Sequence, residues 1–379
     1  MRYLPFQEAE LSILGMGNMR LPTVGEDRGA PIDEAKAQEI IDYVYSYGVN
    51  YYDTAYMYHG GKSEQFIGKA LSKYPRDSYY LADKMPGWDI KAPEDVPAIF
   101  EEQLRRCGVD YFDFYLLHNM SDGSFPIYID PKMGVVDYLL EQKRAGRIHH
   151  LGFSSHAKPE MLEDFLNRYP NTFEFVQIQL NYLDWTLQDA KRQYEIITSH
   201  GLKVWVMEPC RGGRLASLCP EADAMLKEAE PEQSIASWAF RFVRTLPEVQ
   251  VVLSGMSTLE QAEDNVATFS NLEPLSQAEL DTLWSAFDLF HRTVNVPCTK
   301  CHYCDGCPMG LDIPDLLALY NDISVYNSGS AHGKVRELRS EKLPSRCVAC
   351  GRCARLCPQH IDIPAALKKF SAICDADRA

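Results

Sequence analysis

The chain has 379 residues, 46% of them hydrophobic, and a formal net charge of −15. That length allows a large core and more than one domain, and the acidic balance argues against nucleic acid or an anionic membrane as a main partner. The N-terminal stretch reads neither as a signal peptide nor as an anchor, and no apolar run approaches the ~20 residues of a spanning helix, so a cytoplasmic protein is expected. Twelve cysteines in such a chain point to metal or redox chemistry rather than to disulfides.

In chain order, the first strand is predicted over residues 12–16 and runs into Gly17 and Asn18. A helix over 32–47 is stopped by Gly48. The second strand, 49–51, leads to Asp53 and, five residues later, Tyr58. A glycine turn follows, and then a helix to about residue 73 for which Ser63 is the expected N-cap. The third strand, 79–84, ends on Lys84 and is followed by a helix over 93–107. The fourth, 112–118, ends on His118 and opens a long loop, 119–132, expected to shape a substrate pocket. Helices over 135–144, 159–168, 187–199, 234–244 and 259–269 then alternate with strands over 148–154, 175–181, 203–208 and 249–254. Eight strand–helix pairs predict a closed parallel (β/α)8 TIM barrel, whose chemistry sits at the carboxyl ends of its strands. A further helix, 276–290, leads to Val296-Pro297 and a change of character.

A single tyrosine, lysine or histidine at a strand end is ordinarily packing or solvated surface. Asp53, Tyr58, Lys84 and His118 at successive strand ends form a set suited to proton transfer onto a carbonyl oxygen. Tyrosine alone is a poor acid at neutral pH, a neighbouring ammonium is expected to lower its pKa, and an imidazole can bind the carbonyl oxygen. The segments DTAYMY, LADK and YLLH that carry these four residues resemble the catalytic segments of the aldo/keto reductase family. The resemblance runs over about the first 290 residues. It implies an NAD(P)H-dependent oxidoreductase that transfers the 4-pro-R hydride to a small carbonyl substrate. In that role Tyr58 is the general acid, Lys84 and Asp53 tune it, and His118 binds the oxygen.

No G-x-G-x-x-G follows the first strand, which argues against a Rossmann domain. Barrels bind phosphate at the loops after strands seven and eight. Here these contain Arg211 and Gly212, and Gly255, Met256 and Ser257. Gly17 and Asn18 are candidates for the same cofactor. The resemblance adds Ser154 and Gln177 at the nicotinamide amide, Met207 where many relatives stack a tyrosine, and Gln261 and Asn265 toward the adenosine. Gln261 stands where NADPH-preferring relatives carry arginine, which tilts the expectation to NADH.

The tail contains an internal repeat. Cys298, Cys301, Cys304 and Cys307 precede PMGLDIP, and Cys347, Cys350, Cys353 and Cys357 precede PQHIDIP. The second run has the C-x2-C-x2-C-x3-C-P spacing of two-cluster ferredoxins, in which the fourth cysteine of each run binds the other cluster. One [4Fe–4S] cluster is therefore expected on Cys298, Cys301, Cys304 and Cys357, and a second on Cys347, Cys350, Cys353 and Cys307. Structural zinc prefers two cysteine pairs separated by a longer loop. The tail resembles a small ferredoxin-type iron–sulfur domain of loops and helices, giving an expected division into 1–292 and 293–379. The chain thus reads as a carbonyl reductase with an attached iron–sulfur module whose clusters either connect to a redox partner protein or are structural. The alternative is an electron-transfer protein whose clusters exchange electrons with a partner or a flavin while the barrel serves for docking, although no flavin motif is present.

Overall fold

Eight parallel strands close into a barrel in the order in which they occur in the chain. They are β1 (Leu14–Gly17), β2 (Tyr51–Asp53), β3 (Tyr80–Pro86), β4 (Phe112–Met120), β5 (Ile148–Ser155), β6 (Phe175–Gln179), β7 (Lys203–Met207) and β8 (Val249–Ser254). β8 pairs with both β7 and β1, which closes the ring. Nearly every strand residue is buried, as expected for parallel strands covered on both faces. This computed structural model describes residues 1–25, 29–271, 273–291, 296–326 and 329–378. Among the described residues no helix is long and apolar enough to cross a membrane.

A hairpin absent from the sequence-based expectation precedes the barrel, pairing Tyr3–Phe6 with Ala9–Ser12, and the expected first strand, 12–16, takes in only its last residue. Its Phe6 packs edge-on to Trp205 of β7 at 5.0 Å between ring centres, in an apolar cluster with Phe114 and Phe175. Because that cluster also draws on Tyr51, Ala82 and Val251, it is the filled interior of the barrel. The hairpin therefore supplies part of the barrel's own packing.

The described chain falls into two compact units. One comprises residues 1–210 and 236–275, the other 211–235 and 276–379. The expected boundary at 292/293 lies outside the described residues. The second unit holds the helix Pro220–Ala229, which the sequence reading missed, and the helix Gln277–His291. It also holds its own apolar core, built on Leu317, Val335, Leu367 and Phe370. Three of these lie on the helices that follow the cysteine runs, Ile313–Tyr326 and Ile363–Arg378. The repeat seen in the sequence thus has a packing role: each cysteine run is followed by a helix that builds one wall of a common core.

Other differences are local. Ser63 is not a cap. It is the first residue of the helix Ser63–Leu71, with Lys62 in the cap position. Its buried hydroxyl lies 2.9 Å from that of Thr54 and donates to the Asn18 carbonyl. The hydroxyl thereby ties the helix to the ends of β1 and β2. The loop 119–132 contains a short helix, Phe125–Ile129, whose Tyr128 hydroxyl contacts the Met85 and His118 carbonyl oxygens.

Gly68 tests the packing of that first helix. A Cβ built there would lie 2.2 Å from the Cys107 carbonyl oxygen, on the helix Asp95–Cys107. Backbone cannot step aside as a side chain can. The overpacking penalty of about 1–3 kcal/mol then exceeds the helix-propensity gain of about 1 kcal/mol. Gly68→Ala is expected to lower the thermal midpoint. Gly333→Ala, in the helix Gly329–Glu337 with nothing within 4 Å of its built Cβ, is expected to raise it.

Candidate active site and iron–sulfur centre

Register brings the four expected catalytic residues to one end of the barrel. β2 and β3 pair with Asp53 opposite Ala82, so Lys84 extends past the end of β2 and its ammonium can turn back. It donates to Asp53 Oδ1 and to the Thr54 carbonyl, each at 2.6 Å. Lys84 is fully buried and Asp53 nearly so. The backbone around the pair is held as well. Asn18 Nδ2 donates to the Asp53 carbonyl at 2.8 Å, and Gln103 Nε2 donates to the Lys84 carbonyl at 3.0 Å.

Tyr58 follows in a tight turn. His59, Gly60 and Gly61 all have positive φ, at 51°, 63° and 82°, and this reverses the chain into the next helix. His59 Nε2 accepts from the Leu21 amide at 3.2 Å and fixes the turn to the loop after β1. The Tyr58 ring then lies with its centre 5.0 Å from the Lys84 ammonium and 5.8 Å from the His118 ring, to which it is nearly perpendicular. Trp88 also packs on His118, at 4.9 Å between ring centres.

Burial sets the protonation states. It pushes His118 well below its ordinary value, with help from the Lys84 charge, so the imidazole is neutral at neutral pH. It pushes the Tyr58 phenol well above 10, aided by the carboxylates of Asp53, Glu208 and Asp83 and offset in part by Arg20. The expected lowering of the Tyr58 pKa by Lys84 is therefore not found. Lys84 is already neutralised by Asp53, so desolvation decides the direction.

The residues expected at the nicotinamide lie around the same end of the barrel. Ser154 Oγ accepts from the Asn119 amide at 2.8 Å, and Gln177 Nε2 lies 3.6 Å from the Met207 sulfur. The Gln177 Oε1 and Asn18 Oδ1 atoms are buried without a hydrogen bond. Unsatisfied buried acceptors are costly, and a carboxamide NH2 would satisfy them, so these residues fit a nicotinamide. Past β8, Ser257 Oγ donates to the Arg20 carbonyl at 2.6 Å, and Gly255 lies against the Arg20 side chain. Met256 is buried beside them. Thr258 caps the helix Leu259–Ser270 by accepting from the Gln261 amide at 3.3 Å. Gln261 Oε1 accepts from the Ser257 amide, and Asn265 donates to Ser254 Oγ at 2.7 Å.

Two charged residues here escaped the sequence reading. Arg20, three residues past β1, pairs at 3.3 Å with Glu208, the residue after β7. The available signal was position: each is a charge placed just beyond the carboxyl end of a strand. Arg211 and Gly212, expected at the cofactor, belong to the second compact unit. Arg211 is 1% exposed and donates to Gln359 Oε1 at 3.1 Å, two residues past Cys357.

In that second unit both cysteine runs meet at one cavity, which is lined by Cys304 and Cys307 of the first run and by Cys347, Cys350 and Cys353 of the second. Cys304 in turn lies close to Cys298, Cys301 and Cys357. Burial and the charges of those three neighbours push its thiol up to about 12. Against the rise that burial imposes on Cys298 and Cys357, the Arg211 charge draws both thiols back. Thiolates ringing a cavity suit a cluster, in which each iron takes its own cysteine.

Comparison with known proteins agrees with this geometry. A model of the aldo/keto reductase family matches residues 13–287, and a model of a 4Fe-4S dicluster domain matches residues 297–361. The chain belongs to the aldo/keto reductase family, a family of oxidoreductases, and carries a C-terminal 4Fe-4S ferredoxin-type domain. The L-galactose dehydrogenase of Arabidopsis thaliana is 26% identical over 293 residues, covering 70% of this chain and 90% of that protein. The NADH-specific methylglyoxal reductase of Escherichia coli is 23% identical over 59% of this chain and 79% of its own length. A probable aldo-keto reductase of Glycine max is 30% identical, but the match spans only 50% of that protein. Among solved structures, the holo form of an aldo-keto reductase from Bacillus halodurans superimposes with a TM-score of 0.61 at 27% identity, over 75% of this chain and 95% of that one. An NADPH complex from Klebsiella pneumoniae gives 0.60 at 21% identity, over 75% of this chain and 93% of that one, and shares the fold.

Removing Lys84 would strand a carboxylate in the barrel. Lys84→Met is expected to destabilise the protein by about 3–5 kcal/mol, as breaking one side of a buried ion pair does, read by denaturant unfolding. Lys84→Met combined with Asp53→Leu is expected to recover most of that loss.

Proposed function

We propose that the barrel reduces a small-molecule carbonyl compound with a nicotinamide hydride, Tyr58 acting as general acid. The observation that carries this reading is the buried Lys84–Asp53 pair beneath the Tyr58 ring, with a neutral His118 opposite. A bound nicotinamide supplies the hydride. The chain's own residues handle the oxygen and the proton. His118, being neutral, can donate a ring N–H to the carbonyl oxygen and polarise it. Tyr58 stays protonated at neutral pH and delivers its proton as negative charge grows on that oxygen. The Lys84 ammonium stabilises the phenolate left behind, a charge that exists only after transfer. Asp53 keeps Lys84 charged and aimed.

Ser154 and Gln177 would hold the carboxamide, Arg20 and the glycine loop after β8 would face the pyrophosphate, and the capped helix behind that loop favours an anion. In the second unit the two crossed cysteine sets would hold two [4Fe–4S] clusters, which exchange single electrons. The competing reading makes the barrel a docking platform for electron transfer. The assembled tetrad favours the reductase, because a mere platform has no need of a desolvated ion pair aimed at a tyrosine.

Tyr58→Phe is expected to lower carbonyl reduction at least a hundredfold while leaving nicotinamide affinity within about twofold, since it removes only the proton donor. Wild-type turnover in this variant would refute the assignment.

Gln261 bears on the choice of cofactor. It brings no charge to a 2′-phosphate, and its side chain is occupied with Ser257. The relatives' names point both ways, one NADH-specific and one solved with NADPH. NADH is expected to bind at least as tightly as NADPH. Gln261→Arg is expected to improve NADPH affinity about tenfold or more, the effect of a charge-assisted bond worth ~1.5–3 kcal/mol, as measured by fluorescence titration.

A further inference from the structure

The loop that carries the second cysteine run differs from the rest of the chain in charge and in exposed apolar surface. Residues 343–361 contain Arg346, Arg352 and Arg355 and no aspartate or glutamate, in a chain whose net charge is −15. All three arginines are exposed, and among the described residues none is paired with a carboxylate. Arg355 reaches back only to the Cys350 carbonyl, at 3.5 Å. Val348 is 60% exposed and Leu356 42%, two of the seven large hydrophobic residues exposed in the described chain. They flank Cys350, the single exposed cysteine of the twelve. Cys350, Val348 and Arg352 also line the cavity expected to hold the second cluster.

These features favour a docking face over an ordinary solvated loop. A solvated loop mixes both signs and uses lysine freely. Interfaces are enriched in arginine and large apolar residues and depleted in lysine, glutamate and aspartate. Four thiolates give a cluster negative charge, so without the arginines this face would repel an acidic protein. With them it becomes a local positive rim around an apolar centre, at the point where a cluster ligand meets solvent.

From this arrangement we infer that the rim of Arg346, Arg352 and Arg355 around Val348, Cys350 and Leu356 is the docking site for a small acidic one-electron carrier protein. The inference rests on the proposal that Cys307, Cys347, Cys350 and Cys353 hold a cluster. In each encounter one electron passes between carrier and cluster. When the carrier is the donor it is oxidised by one electron and the cluster is reduced by one, and no bond is made or broken. Steering by the rim acts mainly on the rate of encounter and weakens with salt, because its field decays over ~10 Å at 0.1 M.

The test uses the full-length protein, purified anaerobically with its clusters. The probe is a reduced acidic flavodoxin mixed in a stopped-flow instrument, with reduced methyl viologen as a small donor that needs no docking. The double variant R346E/R355E, which leaves the cavity-lining Arg352 in place, is expected to slow cluster reduction by flavodoxin at least tenfold and to leave the viologen rate within about twofold. The wild-type flavodoxin rate is expected to fall severalfold as ionic strength rises from about 10 mM to about 500 mM. An unchanged flavodoxin rate in a variant that retains its iron and sulfide overturns the docking site but leaves the cluster reading intact. A wild-type rate insensitive to salt overturns it even if the double variant fails to fold. Wild-type protein with no iron or sulfide overturns both. A homodimer that the double variant splits, with the flavodoxin rate unchanged, assigns the face to a second copy of the chain instead.

Discussion

The barrel's chemistry depends on one buried ion pair. Placing an ammonium and a carboxylate out of water costs several kcal/mol for each ion unless geometry and further hydrogen bonds compensate. Here Lys84 meets Asp53 and the Thr54 carbonyl at 2.6 Å, and neighbouring amides fix the backbone at both residues. Those requirements reach outward. Asn18 must come from the end of β1, Gln103 from the helix Asp95–Cys107, and the register of β2 with β3 cannot slip. A slip of one residue would turn Lys84 to the other face of the sheet and leave Asp53 alone. The ion pair is thus weak as a source of net stability and strong as a constraint on which arrangement of the strands is tolerable.

The same burial sets the direction of the site's chemistry. Desolvation moves His118 down and Tyr58 up, so one is neutral and the other protonated across the neutral range. Such a site begins its cycle with a proton to give and a neutral donor for an oxygen. The positive charge of Lys84 does little to the resting phenol because Asp53 cancels it. Its value appears only when the phenolate forms and Tyr58 becomes a third member of the charge arrangement. A tyrosine already ionised at rest would lack the proton the substrate needs.

Much of this was legible in the sequence because TIM barrels keep catalytic residues at strand ends, and strand ends are where apolar runs stop. Asp53, Lys84 and His118 each terminate such a run, and Cys-x-x-Cys spacing needs no fold to be read. What could not be read depends on side chains meeting across the chain. Ser63 has the composition of a cap, but Thr54 and Asn18 claim its hydroxyl. Phe6 looks like an isolated apolar residue before the first strand, yet it fills the barrel interior beside Trp205. Arg20 and Glu208 carry no motif and meet only because the closed ring sets β1 and β7 on either side of β8. The direction of the Tyr58 shift was misjudged for the same reason. Spacing shows that an ammonium is near but not that a carboxylate has already cancelled it.

The segment 211–235 illustrates how a barrel loop can be taken over. Phosphate sites in this fold draw on the loops after strands seven and eight, and the loop after β8 keeps its glycine, its serine and its capped helix. After β7 the chain instead leaves the barrel unit at Cys210 and returns at Ala236. Within the second unit the intervening residues include a helix, Pro220–Ala229, and a buried Arg211 committed to Gln359. Its guanidinium meets the Gln359 side chain, two residues past Cys357. Within the barrel unit, Arg20 sets a positive charge beside the loop after β8, against Gly255. Glu208, which holds Arg20 at 3.3 Å, keeps that charge aimed and also limits its strength. On the proposed reading, a charge restrained in this way would face a pyrophosphate.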